Sequence, residues 1–361
     1  MIGAIAAGCA CGKVLYAAQS PPKHQLIVLS KALHIDREYM SMDGPHSEDA
    51  ADFSQGNKPE LLWIIGFKAE VIDPKTKRPI SLEYFCHTNL EFNINASDIR
   101  ARNRIFGQWT RNDYKLVSLV QGKAEVNLPD GFGIPIFSNE ALTSYSMVIN
   151  PDPKAKPLDV QVKATYTYLK DSEVTVPMKS LFRRVAALRV PLTAAQQKDM
   201  HKIKCACDKE MGNETARPVL STPMNVYQKP DGTASSYHWF VPPGRHRYTY
   251  LWGKGLKAPY DTTAHYIEIH LHPYGTYIEL RDKTTGKTIF KARAKNYKDG
   301  MAVASIEHVE SKAGIPFFRS HDYEIICEYN NTTTKDVNAM AMIYLYYLNK
   351  AFDRKLLLQR P

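Results

Sequence analysis

Two consecutive antiparallel β-sandwiches, an all-β architecture, are what this 361-residue sequence predicts. Tyr (21) and Pro (22) are plentiful, beside many Val, Ile and Thr, and that composition favours strands and turns over helices. Short runs in which apolar and polar residues alternate recur along the chain, as half-buried strands require. Turn-forming pairs punctuate those runs, and strands at such spacing make antiparallel sandwiches. The length exceeds what one hydrophobic core usually serves, so two domains are the default.

The elements follow in order. Residues 1–24 form an N-terminal tail that opens Met1-Ile2-Gly3-Ala4-Ile5-Ala6-Ala7-Gly8-Cys9 and ends in a linker-like stretch with Pro21-Pro22. Ala6-Ala7-Gly8-Cys9 is similar to a bacterial lipobox, which makes Cys9 a candidate lipidation site, although the apolar run is short and no basic segment precedes it. The first sandwich is expected over 25–180, with strands at 25–30, 61–71, 83–94, 114–119, 144–149 and 160–168. Val160, Val162, Ala164, Tyr166 and Tyr168 show the clearest alternation. Asp73-Pro74, Pro129-Asp130-Gly131 and Asn150-Pro151-Asp152-Pro153 supply turns. A linker spans 181–215, with a short helix from Thr193 to Gln197. The second sandwich covers 216–350, with strands at 238–241, 248–252, 264–272, 277–281, 288–292, 323–329 and 339–348. Asp231-Gly232 reads as a turn, and Thr285-Gly286 as the turn of a hairpin. A C-terminal tail occupies 351–361.

The net charge is +10. The basic residues are dispersed between apolar ones, as on the outward faces of strands, with no arginine-rich run or zinc-finger spacing. A nucleic-acid partner is not expected; anionic envelope surfaces and acidic proteins suit this charge better. No run of 18 apolar residues offers a spanning helix. The six cysteines (Cys9, Cys11, Cys86, Cys205, Cys207, Cys327) contain no paired CxxC, which argues against a structural zinc site. Asn95-Ala96-Ser97, Asn213-Glu214-Thr215 and Asn331-Thr332-Thr333 fit the N-glycosylation pattern.

The segment richest in chemistry is Glu268-Ile269-His270-Leu271-His272-Pro273-Tyr274-Gly275. In a strand, Tyr266, Glu268, His270 and His272 share one face, and residues two apart lie roughly 6–7 Å from each other. One metal ion can bridge two such imidazoles with bonds of about 2.0 Å. Met340 and Met342 share a face in a second strand. A thioether is a soft ligand that suits copper, so a His2Met copper site is the candidate. His238, His246, His265, His308 and His321 are scattered and read as surface or core histidines.

These residues, in this order, resemble the copper type II, ascorbate-dependent monooxygenase family, which includes peptidylglycine α-hydroxylating monooxygenase and dopamine β-monooxygenase. In the second half the resemblance rests on Val241-Pro242-Pro243-Gly244, Ile269-His270-Leu271-His272 with Gly275, Ile326-Cys327-Glu328-Tyr329, and Met340 through Tyr346-Tyr347. In the first half it rests on Ile65-Gly66-Phe67-Lys68, Cys86-His87-Thr88-Asn89-Leu90-Glu91-Phe92, and Gly131-Phe132-Gly133 leading into 145–150. It implies two jelly-roll-like sandwiches and two coppers. One copper, on His-x-His plus Met, binds oxygen and hydroxylates a C–H bond; the other, on three histidines, supplies an electron.

The pattern departs from the family at named positions. Ala339 stands where the ligand Met belongs, counting back from Tyr346-Tyr347, so Met340 or Met342 would serve after a one-residue shift. Cys86-His87 replaces a His-His pair, which makes His87 the member of a degenerate site, and Asn150 replaces the third histidine. The cysteine that the family bridges to the one matching Cys327 is missing. The expectation is therefore a non-catalytic structural or binding component of a bacterial cell envelope (periplasm or outer membrane, for example a secretion-system outer-membrane complex). Its expected partners are other envelope proteins in a hetero-oligomer, with a lipid anchor at Cys9. Either no cofactor or copper at one site is expected. The alternative expectation is a copper-dependent monooxygenase or a single-copper binding protein.

Overall fold

The computed structural model describes residues 20–355 except 40–43, 55, 57, 94–101, 103–104, 107–113, 151, 153, 155, 195, 197–225, 229–232 and 299. Cys9, Cys11, Cys205, Cys207, the Asn95 and Asn213 triplets and the Asp231-Gly232 turn lie outside the described residues.

The first half contributes β1 (His24–Leu29), β2 (Leu33–Ile35), β3 (His46–Ala50), β4 (Leu61–Ile72), β5 (Phe85–Phe92), β6 (Lys115–Val120), β7 (Glu125–Asn127), β8 (Phe132–Phe137), β9 (Leu142–Val148) and β10 (Leu158–Lys170). Then come β11 (Lys179–Ala187), β12 (Val190–Leu192), β13 (Val226–Gln228), β14 (Ala234–Ser236), β15 (Trp239–Val241), β16 (Gly244–Lys254) and β17 (Thr262–Leu271). The chain finishes with β18 (Gly275–Asp282), β19 (Lys287–Asn296), β20 (Val303–Ile306), β21 (Val309–Phe317), β22 (Asp322–Asn331), β23 (Val337–Ala339) and β24 (Ala341–Leu348).

The fold is all-β and sandwich-like, as expected. A ten-stranded sheet runs β1-β10-β4-β8-β11-β24-β17-β21, with β2 on β10 and β7 on β4. It joins both halves of the molecule, which share one apolar core extending from Val28 to Tyr347. A four-stranded sheet (β3-β9-β5-β6) belongs to the first half and a five-stranded sheet (β16-β22-β18-β19-β20) to the second. Pairing is antiparallel except where β11 runs parallel to β8 at Phe132 and Gly133. In β10 the predicted alternation holds, with Val160, Val162, Ala164, Tyr166 and Tyr168 all buried. The β18–β19 hairpin forms as expected, and Gly286 takes the left-handed conformation (φ 72°) that its turn requires.

Several expectations need correction. The linker placed at 181–215 begins inside β11, whose Leu181, Phe182, Ala186 and Ala187 are buried as β11 pairs with β24. The mixed run Arg183-Arg184 hid this strand, because a strand with both faces covered need not alternate. Thr193 and Gln196 do form a helix-start pair: each backbone N–H donates to the other's side chain, at 2.9 and 3.2 Å. β8 and β21 are strands beyond those expected, because Pro135 and Pro316 lie inside them and prolines normally interrupt a strand away from a sheet edge. β21 is an edge, and β8 meets β11 over two residues only. The Asn331 carboxamide is buried and donates to the Val241 and Lys335 carbonyls (2.9 and 2.8 Å), so it is not presented as a glycan acceptor.

The 351–361 tail is also anchored at its start. Phe352 packs edge-on against Trp63 at 5.4 Å. Arg354 forks onto the Asp171 carboxylate, with its shortest bond at 2.6 Å, and Trp63 Nε1 donates to the same carboxylate at 2.9 Å. Replacing Asp171 with Ala strands a buried indole N–H and breaks the fork. The expected loss is about 2 kcal/mol of stability, read by chemical denaturation.

Candidate functional site

β17 lies inside the large sheet between β24 and β21. A register shift between Ala264 and Tyr266 sets its phase, after which Glu268 pairs with Tyr344, His270 with Met342 and Leu271 with Ala341. Directly opposed residues share a face, so Met342 and His270 project from the same side of the sheet. Tyr344 Oη donates to Met342 Sδ at 3.7 Å.

The end of β17 is held by a turn and by one hydroxyl. The Gly275 N–H donates to the His272 carbonyl at 3.1 Å, and Tyr274 adopts a left-handed backbone (φ 70°). Asn296 clamps this turn, accepting from the Tyr274 N–H and donating to the Gly275 carbonyl. A Cβ at Gly275 would fall 2.8 Å from Leu271 Cβ, so only glycine fits there. Below the turn, the buried Tyr329 hydroxyl donates to the Met340 carbonyl at 2.6 Å and accepts the His272 and Met340 N–H groups, each at 3.2 Å. That contact also corrects the strand expected over 339–348. The strand breaks at Met340, between β23 and β24, because Tyr329 takes both of its backbone groups.

Three imidazoles lie in succession at this end. The His270 and His272 ring centres are 5.2 Å apart, and the His272 and His238 centres 5.6 Å apart. His238 arrives through β15, which pairs with β23. In sequence it is one of the scattered histidines, and nothing local in His238-Trp239-Phe240 announces the contact. Burial lowers the His238 ring to about 3 and the His272 ring to about 4; the neighbouring Asn338 carboxamide counters part of both shifts. His270 falls well below its ordinary value, through burial first and then the facing His272, His87 and His238. All three are neutral at pH 7, the form that ligates metals.

The His270 and His272 rings line a cavity of about 460 Å³ together with Cys86, Asn150, Phe240 and Asn338. Of the sequence-derived positions, His270 and His272 line this cavity with Cys86 and Asn150 of the first half, whereas His87, Met340 and Met342 do not. The first-half set differs from the second, however. His87 Nδ1 lies 3.3 Å from Cys86 Sγ, and its ring stacks on Tyr145 at 5.4 Å. The Asn150 side chain accepts the Asp152 N–H at 3.1 Å, an Asx turn. Cys327 is a free, fully buried thiol whose burial pushes its pKa up.

Two imidazoles sharing an ion at about 2.0 Å hold their ring centres roughly 4.5–6.5 Å apart, and the His270–His272 spacing of 5.2 Å lies within that window. The His270 Nδ1 is buried with no hydrogen-bond partner. Among the described residues, no three His, Cys, Asp or Glu side chains converge to hold an ion. The spacing therefore fits His270 and His272, while the Met342 sulfur, on the same sheet face, meets the Tyr344 hydroxyl. Met340, its backbone pinned outside the strand ladder, does not share this pairing.

Glu268, two residues along from His270 and fully buried, has neither carboxylate oxygen hydrogen-bonded. Burial raises its pKa to about 8 against the pull of Lys123 and Arg183.

No family model matches the chain, and no curated protein matches it. Among solved structures, the chain is similar to the major capsid protein P2 of bacteriophage PM2 (9% identity, covering 91% of this chain and 97% of that one, TM-score 0.31). It is also similar to a peptide-N(4)-(N-acetyl-β-D-glucosaminyl) asparagine amidase (7%, 92% and 98%, TM-score 0.32). A third likeness is to the cowpea mosaic virus top component (9%, 95% and 95%, TM-score 0.31). Likenesses at this level say nothing of function. No described helix is long and apolar enough to cross a membrane.

Proposed function

We propose that this chain is a non-catalytic binding and structural protein built on a monooxygenase-like double sandwich, with the cavity at His270 and His272 as its ligand site. Its setting is a bacterial cell envelope, in an assembly such as a secretion-system outer-membrane complex, and its partners are other envelope proteins. One observation carries the non-catalytic reading: the first-half positions offer one imidazole where the two-copper route needs three, with Cys86 and Asn150 at the other two. His87 stacks on Tyr145 and contacts Cys86, while Asn150 holds its own turn. C–H hydroxylation by the two-copper route takes one electron from each metal, so a first half without its metal stops turnover. The +10 charge and the Ala6-Ala7-Gly8-Cys9 tetrapeptide support the envelope setting. Copper-loaded protein given ascorbate, oxygen and a peptidylglycine is expected to form no hydroxylated product above the His270→Ala/His272→Ala background. Product formation dependent on those histidines would overturn the reading.

A second reading, a single-copper binding protein, is favoured by the unpartnered His270 Nδ1 and the Met342 thioether directly opposite. His270, His272 and Met342 would hold the ion, and a soft, neutral donor set of this kind selects copper(I). Met342→Leu is expected to weaken copper(I) affinity about tenfold with Met340→Leu near wild type, as measured by competition with a chromogenic chelator. Equal effects of the two substitutions would count against Met342.

A further inference from the structure

Adjacent strand residues normally point to opposite faces, yet Cys86 and His87 touch. The reason is a β-bulge: Phe85 pairs with Val148 and His87 with Met147, which leaves Cys86 as the extra residue. A bulge re-aims a side chain, and bulges concentrate beside functional sites. Here it brings Cys86 Sγ to 3.3 Å from His87 Nδ1. Stacking on Tyr145, at 17° between planes, fixes the imidazole's orientation. Cys86, a free cysteine 7% exposed, is also among the residues that line the cavity of about 460 Å³. An independent feature marks that cavity as a ligand space: His270, only 8% exposed, lines it and its Nδ1 has no hydrogen-bond partner. Cys327 supplies the contrast, a fully buried thiol that does not line this space.

We propose that Cys86 is a reactive thiol, with His87 as its base, that takes small disulfides into the cavity by thiol–disulfide exchange. His87 Nδ1 removes the proton from Cys86 Sγ. The thiolate attacks one sulfur of the disulfide, the ligand's S–S bond breaks, and a mixed disulfide forms at Cys86. The departing thiolate takes the proton back from His87. The incoming disulfide is the oxidant, so atoms and electrons balance. Exchange asks only for a thiolate with access to the sulfur, which this geometry supplies. The inference goes beyond the proposed function and is independent of copper.

The test uses the full-length protein with EDTA and a copper(I) chelator, so that neither outcome depends on the metal reading. Iodoacetamide and, separately, cystine are the probes, and adducts are assigned by peptide mass spectrometry. Cys86 is expected to react at least about tenfold faster than Cys327 in the native state. His87→Asn is expected to slow Cys86 by about tenfold or more while Cys327 stays protected. Cys86 reacting as slowly as Cys327, or at an unchanged rate in His87→Asn, overturns the proposal. Should His87→Asn expose Cys327 through unfolding, the wild-type pH profile decides. A paired thiol keeps its rate down to about pH 6.5, whereas an unassisted one loses about tenfold per pH unit below its own pKa, which overturns the pairing.

Discussion

Tyr329→Phe is expected to lower stability by roughly 3 kcal/mol, because one hydroxyl serves three backbone groups in the core. The ring stays buried in either form, so the packing term is nearly unchanged and the loss isolates the oxygen. Without it, the His272 N–H and both Met340 backbone groups lose their partner at the junction of β17 with β23 and β24. Each stranded buried group costs about 1–3 kcal/mol, partly relieved by local adjustment. Chemical denaturation should show the drop, and amide exchange at His272 and Met340 should rise with it. A change below about 0.5 kcal/mol would mean the hydroxyl is replaceable, as most surface groups are.

The second large effect is pH-dependent. The fully buried Glu268 is raised by burial from 4.5 to about 8, with Lys123 and Arg183 opposing the shift and the Tyr266 and Tyr346 rings nearby. A carboxyl whose folded pKa exceeds its unfolded pKa binds its proton more tightly when folded. Below the unfolded value it is protonated in both states and costs nothing. As pH rises from about 4.5 to about 8 the unfolded chain ionises and the folded chain does not, so stability falls; above about 8 the penalty is constant. The full span is on the order of 5 kcal/mol. Glu268→Gln keeps the shape without the charge, so its advantage over wild type should grow across that window and then level off. Parallel stability–pH curves for the two proteins would show that Glu268 ionises freely.

Much of the fold was legible because exposure alternates where one strand face is solvated. β10 announced itself through Val160 to Tyr168, and the β18–β19 hairpin through Thr285-Gly286. Covered strands were harder to read: β11 carries Arg183 at 4% exposure among apolar neighbours, with its guanidinium over the Tyr344 ring. The candidate site divides the same way. The shared face of His270 and His272 follows from the period of a strand, and His270 meets Met342 through simple ladder pairing. His238 is brought in by the long-range β15–β23 pairing, which no local pattern encodes. Cys86 joins His87 only because a bulge breaks the two-residue period. The Tyr329 hydroxyl gathers His272 and Met340 from stretches far apart in sequence, a convergence visible only after folding.

Copper stoichiometry tests the central claim most directly, with purified protein titrated with copper(I) and compared with the His270→Ala/His272→Ala variant. The account predicts no more than one copper per chain, lost in the double variant, with no ascorbate-driven hydroxylation. Two coppers per chain with hydroxylating turnover would contradict it, since a second metal would then sit where Cys86, His87 and Asn150 offer a single imidazole.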